Sequence, residues 1–393
     1  MVLAAACGMA VANIYYAQPL LAPIAAAFGV SQGNTALVVT LTQLGYALGM
    51  MLLLPLGDLL ENRALASRTL LVTAVALVGA GLSPYFGVFL ALSVLVGATS
   101  VVAQILIPYA AHLAPEQDRG KVVGTVMAGL LLGILLARTV SSLVAAAWGW
   151  RTIYLISAAL MLALSLLLTR VLPKRRPAHS SSYPQLLLST VRLVREEPVL
   201  RRRAVTQALM FGAFSSFWTS VAFELIHRHH LSQVGIGLFA LVGAAGAAAA
   251  PVAGRLGDRG HGRAGSGVAL VLGVVAMLLA DVGSGNLVLL ALAGVLLDLA
   301  VQGHQIFSQR EVYGLRVEAR ARVNTVYMTT VFLGGALATA VSGVLHDRYG
   351  WNGVTLLGAG LALIGLGIWA VSTLRTRRAA ASDLVGGVGG IGN

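Results

Sequence analysis

A polar stripe interrupts one of the most apolar stretches of this chain. Residues 293–310 read AGVLLDLAVQGHQIFSQR, and Asp298, Gln302, Gln305 and Gln309 are separated by four, three and four residues. This spacing places all four side chains on one face of an α-helix. An ionised carboxylate at the centre of a bilayer costs at least ~2.5–3.5 kcal/mol, so such a face is not expected to contact lipid. We therefore expect it to line a water-filled cavity.

Asp298 is the residue of this stripe with the most informative chemistry. Burial favours the protonated form of a carboxylic acid, and a nearby cation favours the ionised form. An acid whose cationic neighbour comes and goes with conformation therefore binds and releases a proton in each cycle. We prefer this proton-coupling role, and a structural hydrogen-bonded acid or a direct contact to substrate stay open. His304 lies roughly off the stripe, and its alternatives are proton coupling and, preferred, a structural role.

Arg138 is the other charged side chain inside a long apolar stretch. It lies 17 residues after Lys121, which is about 25 Å along a helix axis. Asp298 lies 12 residues before Arg310, about 18 Å from the same side of the membrane. We therefore expect the two charges to meet only obliquely. The alternatives for Arg138 are a role in proton coupling, a substrate carboxylate, Glu224, or the outer surface reached by snorkelling.

An aromatic face with one amide follows the same helical spacing. Gln207, Phe211, Phe214 and Trp218 are again separated by four, three and four residues. Aromatic walls suit an apolar or amphiphilic ligand, including a cationic one, through stacking and cation–π contact. Simple helix packing explains the same stripe equally well. With weaker candidates from other stretches, the predicted substrate-cavity residues are Asn13, Tyr16, Gln104, Gln207, Phe211, Phe214, Trp218, Gln302 and Gln305.

The composition shows which kind of chain positions these residues. Of 393 residues, 58% are hydrophobic and 10% are charged, and the mean hydropathy is +0.85. A spanning helix needs about 20 mostly apolar residues, so the chain is predicted to be an all-α membrane protein. Twelve candidate spans lie at residues 2–27, 36–57, 68–83, 85–111, 121–147, 151–172, 204–226, 234–254, 264–283, 286–309, 322–345 and 351–374.

The basic residues lie almost entirely on one side of these spans. All but four of the 27 Lys and Arg residues fall on the side that also carries both termini, the exceptions being Arg138, Arg151, Arg228 and Arg348. This bias predicts that both termini are cytoplasmic. The net charge of +13 is therefore a topology signal, and no nucleic-acid partner is expected.

The sequence offers little support for enzymatic chemistry. A single cysteine excludes an intrachain disulfide and a cysteine-rich metal site. No glycine-rich loop ends in Lys followed by Ser or Thr, so ATP-driven pumping is unsupported. We therefore predict neither an enzyme, a metal nor a cofactor.

The chain contains an internal repeat. A shift of 201 positions aligns residues 119–151 with 320–352 without a gap, and eleven of the 33 pairs are identical. Two six-span halves joined by a linker are typical of a transporter that rocks one half against the other. The predicted units are an N-terminal bundle at 1–172, a cytoplasmic linker with an amphipathic segment at 173–203, a C-terminal bundle at 204–374 and a disordered tail at 375–393.

Two short loops carry the second repeat. GDLLENR at 57–63 follows the second span, and GRLGDRGHGR at 254–263 follows the eighth. Here the chain resembles the major facilitator superfamily, whose signature after these spans reads Gly, any residue, Leu, then acidic and basic residues. NIYYAQPLL at 13–21, GLLLGILLART at 129–139 and ARVNTVYM at 321–328 resemble a bacterial drug and sugar efflux branch.

The resemblance implies a fold, a location and a function. It implies two pseudo-symmetric six-helix bundles in the bacterial inner membrane, with spans one, four, seven and ten lining a central cavity. The preferred hypothesis is a monomeric, proton-coupled exporter of small amphiphilic compounds, whose partners are the substrate, protons and the bilayer. The alternatives are a sugar or metabolite carrier and, less favoured, a membrane sensor without transport.

Acids, bases and small residues predict where the halves would touch. The acid after each loop glycine is suited to contact the N-terminus of a helix in the other half. Such contacts would hold the cytoplasmic side closed. In the alternative, the basic residues of these loops only fix the membrane topology. The glycines would let the span ends approach closely, and Gly129, Gly133 and Ala137 are expected to pack the fifth span against the other half. The predicted gate residues are Gly57, Asp58, Glu61, Arg63, Gly254, Asp258, Arg259 and Arg263.

Overall fold

The computed structural model describes residues 1–174, 182–244, 252–257, 259–316 and 319–388, with side chains described up to residue 375. Within these ranges every regular element is a helix, because in lipid the backbone must satisfy its own hydrogen bonds. The α-helices are α1 (Val2–Ala12), α2 (Leu21–Phe28), α3 (Gln32–Leu52), α4 (Asn62–Leu82), α5 (Phe86–Thr99), α6 (Val102–Leu113), α7 (Arg119–Trp148), α8 (Arg151–Val171), α9 (Tyr183–Glu196), α10 (Pro198–His227), α11 (Gln233–Phe239), α12 (Gly262–Val282), α13 (Leu287–Tyr313) and α14 (Arg320–Val388); residues 252–257 are also helical.

The all-helical fold class is confirmed, and the helix pattern is consistent with twelve spans. Nine helical segments of the described chain are long and apolar enough to cross a membrane. The last of them contains two predicted spans, which meet at a kink at Gly350. Shorter apolar helices cover the other two: Val2–Ala12 and Gln18–Phe28 form the first span, and Gln233–Gly243 begins the eighth. Residues 245–251 of the predicted eighth span lie outside the described residues.

The 201-residue repeat is visible in the backbone. Gly149 and Gly350 have φ angles of 85° and 63°, which glycine adopts without steric cost. Each ends one helix, and the tryptophan that follows it packs into an aromatic cluster. The ring of Trp150 lies 5.5 Å from that of Phe89, and the ring of Trp351 lies 5.7 Å from that of Phe217.

Small residues make the closest helix contacts inside each half. A Cβ atom added to Gly133 of α7 would collide with the backbone of Gly8 in α1. The expectation that Gly129, Gly133 and Ala137 face the other half is therefore wrong for these glycines, because α1 of the same half occupies that face. In the C-terminal half, a Cβ atom added to Gly334 would likewise collide with the side chain and backbone of Ala208. Two glycines related by the repeat thus hold equivalent helix pairs together.

The two halves meet along a different set of helices. Helix α3 packs along the first limb of α14, and α7 packs against α11. Helix α9 of the linker touches both halves: the Tyr183 hydroxyl donates to the carbonyl of Leu52 at 2.9 Å, and Arg316 pairs with Glu196 at 3.1 Å and Glu197 at 2.7 Å. The linker helix is therefore tied to the bundle on each side.

We expect Gly133→Ala to destabilise the protein by about 1–3 kcal/mol, because the added methyl group overpacks the contact with Gly8. Gly124→Ala in the same helix is the matched control, since a Cβ atom there meets nothing within 4 Å. Alanine gains up to about 1 kcal/mol of helix propensity over glycine, so the control should be neutral or stabilised. Thermal unfolding in detergent measures both, and equal melting temperatures would contradict the close packing.

Candidate functional site

The side of the molecule away from α9, here called the far side, is closed by hydrogen bonds between the halves. The carboxylate of Asp347 accepts from the Ser31 hydroxyl and from the Gly33 backbone amide, both at 2.8 Å. Beside them, Gln32 lies 3.3 Å from the imidazole of His227. Because the partners come from opposite halves, these contacts must break whenever the far side opens.

A second group of contacts lies next to the first. The side-chain amide of Gln233 donates to the carbonyl of Pro19 at 2.9 Å and to the Ser142 hydroxyl at 2.7 Å. The Ser142 hydroxyl in turn donates to the carbonyl of Gln233 at 2.7 Å. Here α11 of the C-terminal half is bonded to both α7 and the break between α1 and α2.

A buried charged cluster lies deeper in the same interface. We call Gln18, Arg138, Trp218 and Asp298 the interface cluster. Arg138 donates from Nε to the Gln18 side chain at 2.6 Å, and Trp218 donates to the Asp298 carboxylate at 3.0 Å. The Arg138 guanidinium lies over the Trp218 ring at 4.5 Å, so one indole contacts the cation of the N-terminal half and binds the anion of its own half.

Arg138 and Asp298 therefore lie near each other, since both contact the Trp218 side chain. They interact electrostatically, and only 3% of Arg138 and 5% of Asp298 are exposed. The rise along each helix gives only the depth of a Cα atom and not the position of the side chain. Glu224, the other expected partner, instead pairs with Arg228 at 3.3 Å.

The surroundings of Arg138 compensate its charge only in part. Its guanidinium also lies 5.1 Å from the Tyr15 ring and 5.2 Å from the Phe214 ring. Two buried nitrogen atoms, Nη2 of Arg138 and Nε2 of Gln18, lack a hydrogen-bond partner among the described residues. Both are donors, so the cluster is able to bind one further acceptor group.

The aromatic face of α10 points toward the N-terminal half. Phe211 and Phe214 stack with centroids 5.6 Å apart, and Phe211 contacts Phe332 at 5.0 Å. Phe332 in turn lies 4.4 Å from Tyr46 of α3. Nearby, Gln43 of α3 donates to the hydroxyl of Ser215 at 3.0 Å. The predicted aromatic stripe thus lies at the interface, while its ligand-binding role stays a prediction.

His304 is buried inside the C-terminal half. Its Nδ1 lies 2.6 Å from the side-chain carbonyl of Gln207, and the Gln207 amide contacts Gln305 at 3.5 Å. Gln302 and Gln305 are half-buried, whereas His304 is fully buried. Its proton-coupling role stays a prediction.

Two of the other cavity candidates face their own half. The Asn13 side chain accepts from the Ser157 hydroxyl at 2.6 Å, and Tyr16 also hydrogen-bonds with Ser157. Both therefore lie between the first span and α8 of the same bundle. Gln104 differs, because it donates to the Tyr46 hydroxyl at 3.4 Å and lines a cavity.

This cavity separates the halves on the side of α9, here called the linker side. It has a volume of about 420 Å³. Gly57, Asp58 and Gln104 line it from the N-terminal half and Arg322 from the C-terminal half, with Leu186 of α9 between them. The far side is closed by hydrogen bonds, whereas the linker side contains this cavity. The structure is therefore open toward the linker side.

The remaining gate candidates are distributed along the linker side. Arg63 pairs with Glu61 at 3.1 Å and donates to the carbonyl of Thr169, also at 3.1 Å, within one half. A Cβ atom on Gly57 would meet only Asn62, at 3.9 Å, and one on Gly254 would meet nothing within 4 Å. The close approach expected at these two glycines is thus absent from the described contacts. Asp258 lies outside the described residues, and Arg259 and Arg263 are exposed.

Comparison with known proteins now identifies the family. A family model described as Major Facilitator Superfamily matches residues 2–311. The chain belongs to this superfamily. It is a multi-pass membrane transporter, and members of the superfamily carry small molecules and are generally not enzymes.

Two relatives and one solved structure illustrate the similarity. The putative uncharacterized transporter YgaY of Escherichia coli (strain K12) is 43% identical over 366 residues, covering 93% of each chain. The probable transporter SCO4007 of Streptomyces coelicolor is 33% identical, covering 93% of this chain and 85% of that protein. The human organic anion transporter MFSD10 (TETRAN) superposes with a TM-score of 0.71 at 19% identity, covering 94% of this chain and 98% of that chain; at this identity the likeness shows the fold alone.

Several residues of this major facilitator protein are not predicted by the sequence patterns. Gln43, Gln233 and Asp347 make contacts between the halves, and Gln18 accepts from Arg138 within the N-terminal half. Gln18 and Gln43 are polar residues inside apolar spans, which was a usable signal. Gln233 and Asp347 lie near the ends of spans, where polar residues are common. Their residue types therefore gave no indication of a contact between the halves.

We expect Asp347→Asn to weaken closure of the far side. Without the charge, the two hydrogen bonds should stabilise the closed state by about 1 kcal/mol less, which lowers the ratio of closed to open protein about fivefold. Labelling of Thr139→Cys in a Cys7→Ser background with a membrane-impermeant maleimide measures the opening. Thr139 is buried, and its hydroxyl has no partner among the described residues, so the reporter removes no hydrogen bond.

Asp281→Asn is the matched control for this measurement. Asp281 accepts from Thr355 at 2.6 Å within the C-terminal half, so its neutralisation should leave the labelling rate unchanged. If both variants accelerate labelling equally, Asp347 does not close the far side.

Proposed function

We propose that this chain is a proton-coupled exporter of small amphiphilic compounds that works by alternating access in the bacterial inner membrane. The observation that carries the proposal is the position of Asp298. Its carboxylate is buried, is bound by Trp218 of its own half and faces Arg138 of the other half. A movement that separates the halves must therefore also separate the acid from its cation.

This geometry couples protonation to conformation. With the far side closed, Arg138 stabilises the ionised carboxylate of Asp298. Opening of the far side withdraws Arg138, and the acid, left without its cation, takes up a proton. Reclosure returns Arg138 to the carboxylate, and the proton leaves toward the linker side. One proton thus enters from the far side in each cycle.

The substrate class follows from the walls of the interface. Phe211, Phe214 and Trp218 offer ring faces, and Gln207 and Gln305 offer amides near the same helix face. Aromatic rings with few fixed polar groups suit an amphiphilic compound, which would be bound through buried apolar surface and ring stacking. This favours the drug-efflux side of the superfamily over a sugar site, which needs many paired hydrogen-bonding groups.

The orientation assigns the two sides. The excess of Lys and Arg on the linker side supports a cytoplasmic location for that side and for both termini. The linker-side cavity is then the cytoplasmic entrance for the compound to be exported. Asp58 and Arg322 line this cavity from opposite halves, so their approach would latch it shut later in the cycle. The chain acts as a monomer, because each half supplies one partner of the charge pair.

Reconstitution in liposomes with an internal pH-sensitive dye tests the coupling. A panel of amphiphilic cations, anions and sugars should reveal one class that moves protons. Asp298→Asn should abolish proton movement, since the amide cannot carry the proton. Asp281→Asn, which neutralises an acid bonded inside one half, is the matched control and should retain coupling.

The outcomes separate the parts of the proposal. Substrate movement without protons in the native protein would overturn proton coupling and leave a carrier. Unchanged coupling in Asp298→Asn would overturn the role of this residue and return it to a structural one. Absence of movement for every compound class would contradict export of amphiphiles.

A second candidate function is a carrier for an anionic metabolite. It is favoured by Nη2 of Arg138 and Nε2 of Gln18, which are buried donors without a partner among the described residues. A carboxylate bound there would accept from both and pair with the guanidinium. In the same panel, Arg138→Gln would then abolish transport of anions, whereas for an amphiphile exporter it would chiefly alter the coupling to protons.

A further inference from the structure

A cluster of positive charge lies on the linker side of the C-terminal half, away from the interface cluster. Arg202 and Arg203 begin α10, and both pair with Glu311, Arg202 at 3.4 Å and Arg203 from Nε at 2.6 Å. Arg263 of α12 is close enough to repel Arg202 electrostatically. Two of these guanidinium ions pair with one carboxylate and the third repels Arg202, so an additional anion would relieve the repulsion.

A narrow polar pocket opens between these arginines. Arg202, Arg203 and Arg263 line it together with His304, Trp369 and Thr373. Nε2 of the fully buried His304 and the hydroxyl of Thr373 have no hydrogen-bond partner among the described residues. The pocket has a volume of about 10 Å³, which admits a water molecule or one hydroxyl group. A larger polar group must therefore lie at its mouth, beside the exposed Arg263.

Two apolar grooves lead from this mouth toward the membrane centre. The first, of about 690 Å³, lies between α12 and the second limb of α14 and is lined by Gly267, Val268 and Val271. The second, of about 530 Å³, lies beside α10 and is lined by Ile364, Ile368 and Val371. Trp369, Thr373 and Arg263 border both the pocket and the first groove, and Arg202 and Ser372 border both the pocket and the second.

The distribution of polarity matches a two-chain lipid. Arginines and hydroxyl groups lie at the linker-side end, and the groove walls deeper in the membrane are apolar. Arg375 adds a further cation at the mouth of the second groove. Guanidinium groups bind phosphate oxygens through paired charge-assisted hydrogen bonds, and basic pockets between transmembrane helices bind anionic headgroups. If these arginines only fixed the membrane topology, apolar grooves beside them would not be required.

We propose that this crevice between α10, α12 and the second limb of α14 binds an anionic phospholipid of the linker-side leaflet. The phosphate lies between Arg202 and Arg263, a headgroup hydroxyl or a water reaches His304, and one acyl chain lies in each groove. The site lies outside the interface between the halves, and no residue of the interface cluster lines it.

Trp369 provides the reporter, because it lies against the first groove. Purified protein in nanodiscs receives a small fraction of phospholipid with brominated acyl chains, either phosphatidylglycerol or phosphatidylcholine. Quenching of the fluorescence that is absent in Trp369→Phe measures occupancy of the groove. Brominated phosphatidylglycerol should quench at much lower mole fraction than brominated phosphatidylcholine.

Paired variants test the headgroup contacts. Arg202→Gln with Arg263→Gln should reduce the preference for phosphatidylglycerol by about 30-fold, the effect expected for two arginines at a membrane surface. Arg192→Gln with Arg195→Gln removes the same charge from α9 on the same side and should keep the preference. If Trp369→Phe fails to fold, retention of phosphatidylglycerol by the paired variants in native mass spectrometry gives the same comparison.

Three results would overturn the proposal. The first is equal quenching by the two lipids, which would make the grooves unselective lipid contacts. The second is an unchanged preference in the Arg202 and Arg263 variant. The third is complete relief of quenching by millimolar inorganic phosphate, which would make the crevice a site for a free anion.

Discussion

The cost of burying charge in a membrane protein governs the arrangement of this molecule. Arg138 and Asp298 lie in apolar helices, where contact of either charge with lipid would be energetically costly. Both are buried against the Trp218 indole. Arg138 donates a hydrogen bond to Gln18, and Asp298 accepts one from Trp218. Because the two charges belong to different halves, the interface between the halves buries both of them. In alternating access, this interface is the surface that would open.

Close helix packing holds each half together. Gly133 lies against the backbone of Gly8, and Gly334 lies against the methyl group and carbonyl of Ala208; such dry contacts do not reopen easily. Between the halves, hydrogen bonds at Asp347 and Gln233 accompany a close contact of Gly33 with Gly343. Bundles packed in this way and joined partly by exchangeable hydrogen bonds suit the rocking of one half against the other.

The sequence allowed much of the fold to be predicted, but less of the site. The lengths of the apolar stretches predicted the helices. The 201-residue repeat predicted that Gly149 and Gly350 are equivalent, and both have a positive φ angle. Charged residues in apolar spans drew attention to Asp298 and Arg138, and the structure places both against one indole. This shared neighbour was not predicted, since helix rise gives the depth of a Cα atom and not the position of a side chain. The small face at Gly133 was assigned to the wrong neighbour, because small residues show that a helix approaches closely but not which helix it is.

The linker helix makes the two sides of the molecule unequal. At the far side the halves bond directly, whereas on the linker side α9 binds Leu52 of one half and Arg316 of the other. Arg192 and Arg316 hold the pKa of Glu196 below its usual range, chiefly through the hydrogen bond from Arg192. Its hydrogen bond with Glu197, with the added charge of Glu196, raises the pKa of Arg316.

These shifts keep the tie between α9 and Arg316 charged at every physiological pH. A lowered acid pKa and a raised base pKa both widen the range in which the pair is ionised, so acidification near neutrality does not release it. The linker contact thus stays ionised throughout this pH range. Under the proposed coupling, the proton-sensitive group lies elsewhere, at Asp298, whose cationic neighbour Arg138 would be withdrawn when the halves separate.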